Sequence, residues 1–383
     1  MDLVINVTHI GINAHLLSGQ SGYRSAGIHS YIHNMLMHIG DAVPPDWHLT
    51  VMAGQQAQTD YPGVTMRRSR WHTERPLNRI LWEQAVQPFS LHDFDLYHAM
   101  AFVSPLLLTK PSVVTVYDLS FIHYPQVLTT ARRLYLQMFT RLSCQRANRV
   151  IAISHSTARD LEQSFGLPGD KIDVAACGYD TERFRPLDPA EVAAFRQQQG
   201  LPERFWLFIG TLEPRKNLPT LLQAYAALPK SERLPLFLAG GRGWMVDEID
   251  TAIEKYNLKD DVFFPGFVPA QDLALWYNSA EVFIYPSVYE GFGLPVLEAM
   301  ACGTPVIISD ASSLPEVAGS SGLQIDPYNV TEWTEALQRA FHDELWQEQT
   351  RRQGLMEAQR YRWTKTAQAT VTSYQKALDS RTP

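Results

Sequence analysis

Short apolar runs recur through the second half of the chain, each closed by glycine, proline or a polar turn. They are RFWLFIG (204–210), PLFLAGG (235–241), DVFFPGF (261–267), VFIYPS (282–287) and TPVIISD (304–310). Runs this short, without polar alternation, predict strands buried on both faces. Between them, LPTLLQAYAAL (218–228) and segments at 245–257, 270–279, 294–301 and 330–344 space their apolar residues as helices do. Such alternation predicts a parallel sheet with right-handed crossovers.

The first half repeats the scheme less cleanly. HIGINAHL (9–16) reads as a strand, followed by the loop SGQSGYRSAG (18–27) and a helix over 26–39. That helix sets Ile28, Tyr31, Ile32, Met35, Leu36 and Ile39 on one face. HLTVMAG, DLYHA, SVVTVYDLS, RVIAIS and KIDVAAC are further strands, with helices at 129–147 and 156–165.

A chain of 383 residues is long for one core. The segment 177–204 is polar and carries three prolines, so the boundary between two alternating blocks is placed there. The reading is an N-terminal domain over 1–180, a C-terminal domain over 181–362, and a last helix in 363–383. Two parallel α/β domains facing each other form a cleft lined by loops at the strand C-termini.

Composition narrows the class. Apolar residues make up 45% and charged residues 19%, as in a soluble globular protein. The net charge is −7, which argues against a general nucleic-acid surface. Residues 1–180 are balanced, 14 basic against 14 acidic, so the remainder carries the whole excess. Three scattered cysteines without a CxxC read as reduced thiols in a cytoplasmic protein. The N-terminus lacks the basic region of a signal peptide, and no stretch has the roughly 18 apolar residues of a membrane span.

Two acids bracket a glycine-rich break in PSVYEGFGLPVLEAMACGTPVI (286–307). On one continuous helix Glu290 and Glu298 would sit roughly 80° apart, a poor match for one ligand. Gly291 and Gly293 disfavour that helix, and Pro295 suits the first turn of a new one. The stretch therefore divides into strand, loop and helix, with Glu290 on the loop and Glu298 on the second helical turn. The free N–H groups near Gly293 and Leu294 favour an anion. A ligand with a phosphate between two hydroxyl-bearing groups, a nucleotide sugar, matches that order. GTLEPRKN (210–217) places Arg215 and Lys216 where a strand hands over to a helix, a position that suits a diphosphate.

IG-x-x-EPRKN, GFV-P-x-x-DL-x-x-WY-x-x-A and PS-x-YEGFGLP-x-LEAMACGTPVI together resemble the retaining glycosyltransferases of family 4. The C-terminal likeness covers about 205–328. NAHLLSGQSGYRSAGIHSYIHNML and VVTVYDLSFIHYPQ carry it more loosely through the first half. The resemblance implies the GT-B fold, two Rossmann-like domains facing across a cleft, with the final helix crossing back to the N-terminal domain. It implies Glu290 on the transferred sugar, Glu298 on the ribose, and Gly293, Leu294 and the neighbouring Phe292 around the phosphates. Arg215 and Lys216 would neutralise the leaving diphosphate, and Val268 and its neighbours would meet the base. Thr211 stands where many relatives have arginine, and Tyr117-Asp118 where many have His-Asp. Tyr117, Asp118 and His123 are thus expected near the acceptor or transferred sugar, and Gly27 near the donor phosphate or acceptor.

The resemblance implies no metal, no cofactor and a retaining transfer, with the leaving phosphate helping to deprotonate the acceptor. The EPRKN form resembles branches using GDP-mannose, with UDP-sugar-dependent glucosyl or N-acetylglucosaminyl transfer as the alternative. A sugar-nucleotide epimerase and an inactive nucleotide-sugar-binding protein share the fold. The expected acceptor is a saccharide, free or lipid-linked, in polysaccharide or glycolipid synthesis. The expected location is the cytoplasm, including the inner face of the membrane.

Other features are weaker. His29 and His33 stand at i, i+4 but lack HExxH or cysteine company, so polar surface or cleft histidines are the better reading. Asp93-Phe94-Asp95 reads as a turn leading into a strand rather than a metal motif. SGQSGYRSAG lacks the Walker pattern. GGRGW (240–244) approaches the nucleotide or covers the domain surface. Arginines cluster in MRRSRWHTERPLNR (66–79) and along 132–149. The helix at 129–147, with stripes Leu134–Met138–Leu142 and Tyr135–Phe139, is read as packed on its own sheet, a lipid surface being the other reading.

Overall fold

A computed structural model describes residues 7–17, 26–55, 57, 59–71, 73, 76–125, 128–243 and 247–380. The chain forms two compact units, Met1–Gly178 with Arg362–Pro383, and Tyr179–Tyr361.

Unit 1 is built on seven parallel strands: β1 (Thr8–Asn13), β2 (Trp47–Ala53), β3 (Val64–Arg68), β4 (Leu96–Ala99), β5 (Ser112–Val116), β6 (Arg149–Ala152) and β7 (Ile172–Val174). Their order is β3-β2-β1-β4-β5-β6-β7. β4 and β5 are buried along their whole length, as their uninterrupted sequences require. Phe94, Val114, Val116, Phe121, Leu161 and Phe165 belong to one core cluster beside this sheet.

The helix Trp363–Asp379 packs on unit 1. Thr366 donates to the Ala176 carbonyl at 2.6 Å, and Lys376 meets Asp173 at 2.7 Å. Tyr374 is hydrogen-bonded to buried His98 at 2.7 Å, and Trp363 stands edge-on to Tyr31. The helix is thereby a structural part of the unit that the chain left at Gly178.

Unit 2 holds six parallel strands: β8 (Trp206–Ile209), β9 (Leu236–Ala239), β10 (Val262–Gly266), β11 (Val282–Tyr285), β12 (Val306–Ser309) and β13 (Leu323–Ile325). Their order is β10-β9-β8-β11-β12-β13. The inner strands WLFI, LFLA, VFIY and VIIS are wholly buried. Each unit is a doubly wound parallel sheet, the Rossmann-like plan expected from the strand–helix alternation.

Several elements differ from expectation. The polar segment 177–204 contains the helix Pro189–Gln199, capped by Asp188 and ended by Gly200. It buries Val192 and Phe195, a stripe too narrow to stand out against its charged residues. A second helix, Glu344–Ala358, follows the expected one at Val330–His342. The helix Thr130–Arg146 turns Thr140, Ser143 and Cys144 inward and leaves Leu134 55% and Met138 53% exposed. The Leu134–Met138 stripe is thus not the face packed on the sheet, because small side chains allow the closer approach.

Candidate functional site

Strand order in unit 2 changes direction between β8 and β11. In an open parallel sheet the loops beyond such neighbours part and leave a crevice at their C-terminal ends. The two loops here are GTLEPRKN after β8 and PSVYEGFG after β11.

Beyond β8 the chain makes one 3-10 turn, Pro214–Lys216, and Asn217 then starts the helix Leu218–Ala227 from a left-handed conformation (φ 53°). Asparagine tolerates that region, and its amide donates to the Pro327 carbonyl at 2.5 Å. The turn directs both cations at the β11 loop. Arg215 meets Glu290 at 2.9 Å and the Tyr289 carbonyl at 3.0 Å, and also pairs with Glu213. Buried Lys216 pairs with Glu290 and donates to the Tyr285 hydroxyl. Ser287 donates to Glu290 at 2.6 Å. Burial alone would raise the Glu290 carboxyl, but Arg215, Lys216 and these hydrogen bonds hold it down at about 2. Burial and the Arg215 charge lower Lys216, with Glu290 and Glu213 opposing them.

The loop is braced from behind. The Glu290 N–H donates to Ser312 at 2.8 Å, and Ser313 donates to the Phe292 carbonyl at 2.6 Å. Gly293 then opens the helix Leu294–Ala301 at φ 111°, and a Cβ there would lie 2.7 Å from the Leu314 side chain. Among the described residues the N–H groups of Gly293 and Leu294 have no acceptor, and Pro295 has no N–H. They form a donor pair at a positive helix end. Glu298 lies one turn in and accepts from Tyr277 at 3.1 Å. Burial pushes its carboxyl up to about 7, with Tyr277 and Arg183 pulling the other way. A row of rings connects the two acids: Tyr277, Phe283 and Tyr285, with centroids 5.3 and 5.6 Å apart.

Not every expected residue takes the expected place. Phe292 is a core side chain stacked edge-on against Tyr361, so only its backbone is left to serve a ligand. Val268 is buried just after β10, and Thr211 is half-buried in the β8 loop. The glycines of GGRGW are tied to that loop. Leu212 donates to the Gly241 carbonyl at 3.0 Å, and Gly243 donates to Leu212 at 2.9 Å. Trp244 lies outside the described residues.

In unit 1, Tyr117 is buried between the Tyr31 and Phe102 rings, and its hydroxyl donates to the Met100 carbonyl at 2.6 Å. The phenol has one proton to donate, so the expected donor to a sugar is already committed. Asp118 caps Ser120 at 2.8 Å, and His123 lies 3.7 Å from Asp160. Gly27 is exposed at the start of the helix Ala26–Ile39, and residues 18–25 of the preceding loop lie outside the described set. The structure brings Arg215, Lys216 and Glu290 together and joins Glu298 to them through the rings. His33 bonds Tyr61 at 3.1 Å, and Asp95 accepts from the His9 N–H at 2.9 Å. Among the described residues no group of three or more His, Cys, Asp or Glu is placed to hold a metal ion.

Glu213, Ser287, Tyr285 and Tyr277 were not singled out from sequence. Glu213 had a signal, since it stands two residues before Arg215 in the same turn. Ser287 had one too, since it stands in the same loop as Glu290, whereas the tyrosines had none, because their partners Glu298 and Lys216 are distant in the chain.

Residues 27–183 match the family Glycosyltransferase Family 4, and residues 191–358 match Glycosyl transferases group 1. The chain is 35% identical over 295 residues to O-antigen chain mannosyltransferase B of Escherichia coli, covering 75% of this chain and 76% of that protein. It is 30% identical over 249 residues to the serotype-specific mannosyltransferase WbdA of Escherichia coli, covering 62% of this chain and 30% of that protein. Among solved structures, sucrose-phosphate synthase from Thermosynechococcus elongatus superposes with a TM-score of 0.74 at 23% identity, covering 97% of this chain and 100% of that one. WaaG, a glycosyltransferase involved in lipopolysaccharide biosynthesis, superposes with a TM-score of 0.70 at 16% identity, covering 97% and 99%. These two likenesses concern the fold.

Proposed function

This chain belongs to the group 1 glycosyltransferases of family 4, and on that premise we propose a retaining mannosyl transfer from GDP-mannose to a saccharide acceptor. The observation that carries the reading is the meeting of Arg215, Lys216 and Glu290 at the β8/β11 switch, beside the free N–H pair of Gly293 and Leu294. Two cations and a helix N-terminus are what a departing nucleoside diphosphate requires. The mannosyl choice rests on the likeness to the O-antigen chain mannosyltransferase. A UDP-sugar is the alternative donor.

In the proposed reaction the bond from the anomeric carbon to the β-phosphate oxygen breaks. The acceptor hydroxyl oxygen bonds to the same face of that carbon, and its proton passes to an oxygen of the leaving phosphate. Arg215 and Lys216 offset the charge that develops there. Both are already paired with Glu290, and Arg215 with Glu213 as well, so they are oriented before the donor arrives and need little reorganisation. Glu290 receives the sugar hydroxyls, and Glu298 the ribose. The proposed acceptor is a growing surface polysaccharide or glycolipid, lipid-linked where the enzyme meets a membrane. Exposed Leu134 and Met138, with Arg132 beside them in sequence, supply an apolar and basic face for anionic lipid. No helix among the described residues is long and apolar enough to cross a membrane. The proposed place of action is the cytoplasm and the inner membrane face.

Thermal unfolding against GDP, UDP, ADP, dTDP and their common sugars tests the donor. A ligand at a hundredfold excess over its Kd stabilises the native state by about 2.7 kcal/mol. A selective rise in Tm with GDP and GDP-mannose supports the reading. A selective UDP response replaces mannose-GDP with the alternative, and no response to any nucleotide removes the donor site.

A further inference from the structure

Tyr285 closes β11 and is fully buried. Its ring lies close to parallel with Phe208 of β8 and Phe283 of its own strand, with centroids 5.6 Å from each. Phe283 and Tyr285 share a face of β11 because side chains alternate along a strand. This packing requires a ring at position 285 but no hydroxyl. What the hydroxyl touches is therefore informative.

Two groups meet it. Lys216 Nζ donates to the phenol oxygen and stands 4.7 Å from the ring centroid. Glu290 is hydrogen-bonded to the same hydroxyl. A carboxylate only accepts and an ammonium only donates. The phenol thus accepts from Lys216 and gives its one proton to Glu290. Lys216 also donates directly to Glu290, so the three groups form a closed ring. Ser287 at 2.6 Å and Arg215 at 2.9 Å also hold the Glu290 carboxylate.

Lys216 is held where its charge is costly. Burial, then the Arg215 charge, lowers its ammonium, while Glu290 and Glu213 act the other way. Arg215 and Glu213 come from its own turn, and Glu290 and Tyr285 from β11 and its loop. A fixed acceptor beside a buried ammonium favours the charged form. Glu290 cannot serve alone once a donor is bound, because the proposed reaction asks it to accept sugar hydroxyls. The phenol has no such second duty. Lys216 has three N–H bonds. Tyr285 and Glu290 take two, and the third has no acceptor among the described residues.

We propose that Tyr285 is a positioning residue for the transfer: its hydroxyl keeps the Lys216 ammonium charged and in place while Glu290 receives the sugar, leaving one N–H for the departing phosphate. The proposal rests on the glycosyltransferase reading and adds to it the group that maintains the cation.

The test measures affinity for the nucleoside diphosphate selected by the Tm screen, GDP or UDP, by calorimetry on the full chain between about pH 7 and 10. Wild type is compared with Tyr285→Phe, Lys216→Arg and the double variant. Phenylalanine keeps the ring in its stack and removes only the hydroxyl. Affinity falls as Lys216 loses its proton. In Tyr285→Phe that fall is expected at a pH lower by about one unit or more, since a lost hydrogen bond to a charged group weakens the charged form about tenfold or more. Arginine stays charged throughout this range. Lys216→Arg and the double variant should therefore give the same pH profile. A wild-type profile in Tyr285→Phe overturns the proposal, whether or not its urea midpoint drops, because the hydroxyl is then structural only. An equal acid shift in both backgrounds also overturns it, because the hydroxyl then acts on a group other than Lys216. If wild type binds the nucleotide and either of these results is found, the donor reading stands. If wild type binds no nucleotide, the donor reading fails and this proposal fails with it.

Discussion

Glu290 is a structural group, and the proposed reaction gives it a second role. Its carboxylate balances Arg215 and Lys216 in a buried setting, and removing one partner of such a set costs about 3–5 kcal/mol. Glu290→Gln should therefore lower stability in urea by about that amount and reduce turnover by a hundredfold or more. Adding Lys216→Met should restore much of the stability without restoring turnover. If the double variant regains activity, neither Glu290 nor Lys216 acts on the donor and the pair is structural only. The pH dependence follows from the same geometry. The folded carboxyl titrates near 2, below its ordinary 4.5, so its contribution is present above about pH 4.5 and is lost as pH falls towards 2. Glu298 has the opposite sign. Its folded carboxyl titrates near 7, so its contribution is complete below about pH 4.5 and disappears as pH rises through 7. Glu298→Gln should gain stability relative to wild type at pH 8 and not at pH 4.5, measured by urea unfolding at each pH. An equal difference at both would place Glu298 in ordinary solvent.

At the level of elements, the β8 loop depends on the loop after β9. Gly240 has φ 146°, and a Cβ there would lie 1.9 Å from the Gly210 carbonyl oxygen. The clash is with backbone, so the β8 loop that carries Arg215 and Lys216 must move. Gly240→Ala should destabilise the protein by about 2 kcal/mol or more and weaken nucleotide binding in the folded fraction. Unchanged urea midpoint and nucleotide response would mean that the two loops are not coupled. Strands such as VFIY and VIIS were legible because burial on both faces leaves no polar position in them. The helix Pro189–Gln199 was not, because Val192 and Phe195 alone face inward and its remaining surface resembles a linker.

At the level of the molecule, unit 1 carries the outward Leu134 and Met138. Ser143, on the same helix, holds the 103–108 segment through the Ser104 N–H at 2.9 Å, and Leu107 of that segment is also exposed. An apolar face of this kind favours an anionic vesicle surface by burial plus charge. Leu134→Glu/Met138→Glu should reduce sedimentation with anionic vesicles at low salt by about tenfold while leaving Tm within about 2 °C, since neither residue is in the core. Wild type that stays in the supernatant at low salt would remove the membrane contact.

The sequence alone determined the two parallel sheets, the divided stretch around Glu290 and Glu298, and the family. Each rests on local rules: continuous apolar runs, glycines that break a helix, and motifs that keep their spacing. Tertiary structure decided which partners these residues have. Lys216 meets Tyr285 and Glu290 across the strand switch, while Tyr117 spends its proton on Met100 and Phe292 is spent on packing. Those outcomes depend on contacts between residues far apart in the chain. Periodicity and spacing report which face a residue occupies, but not which group waits on the other side.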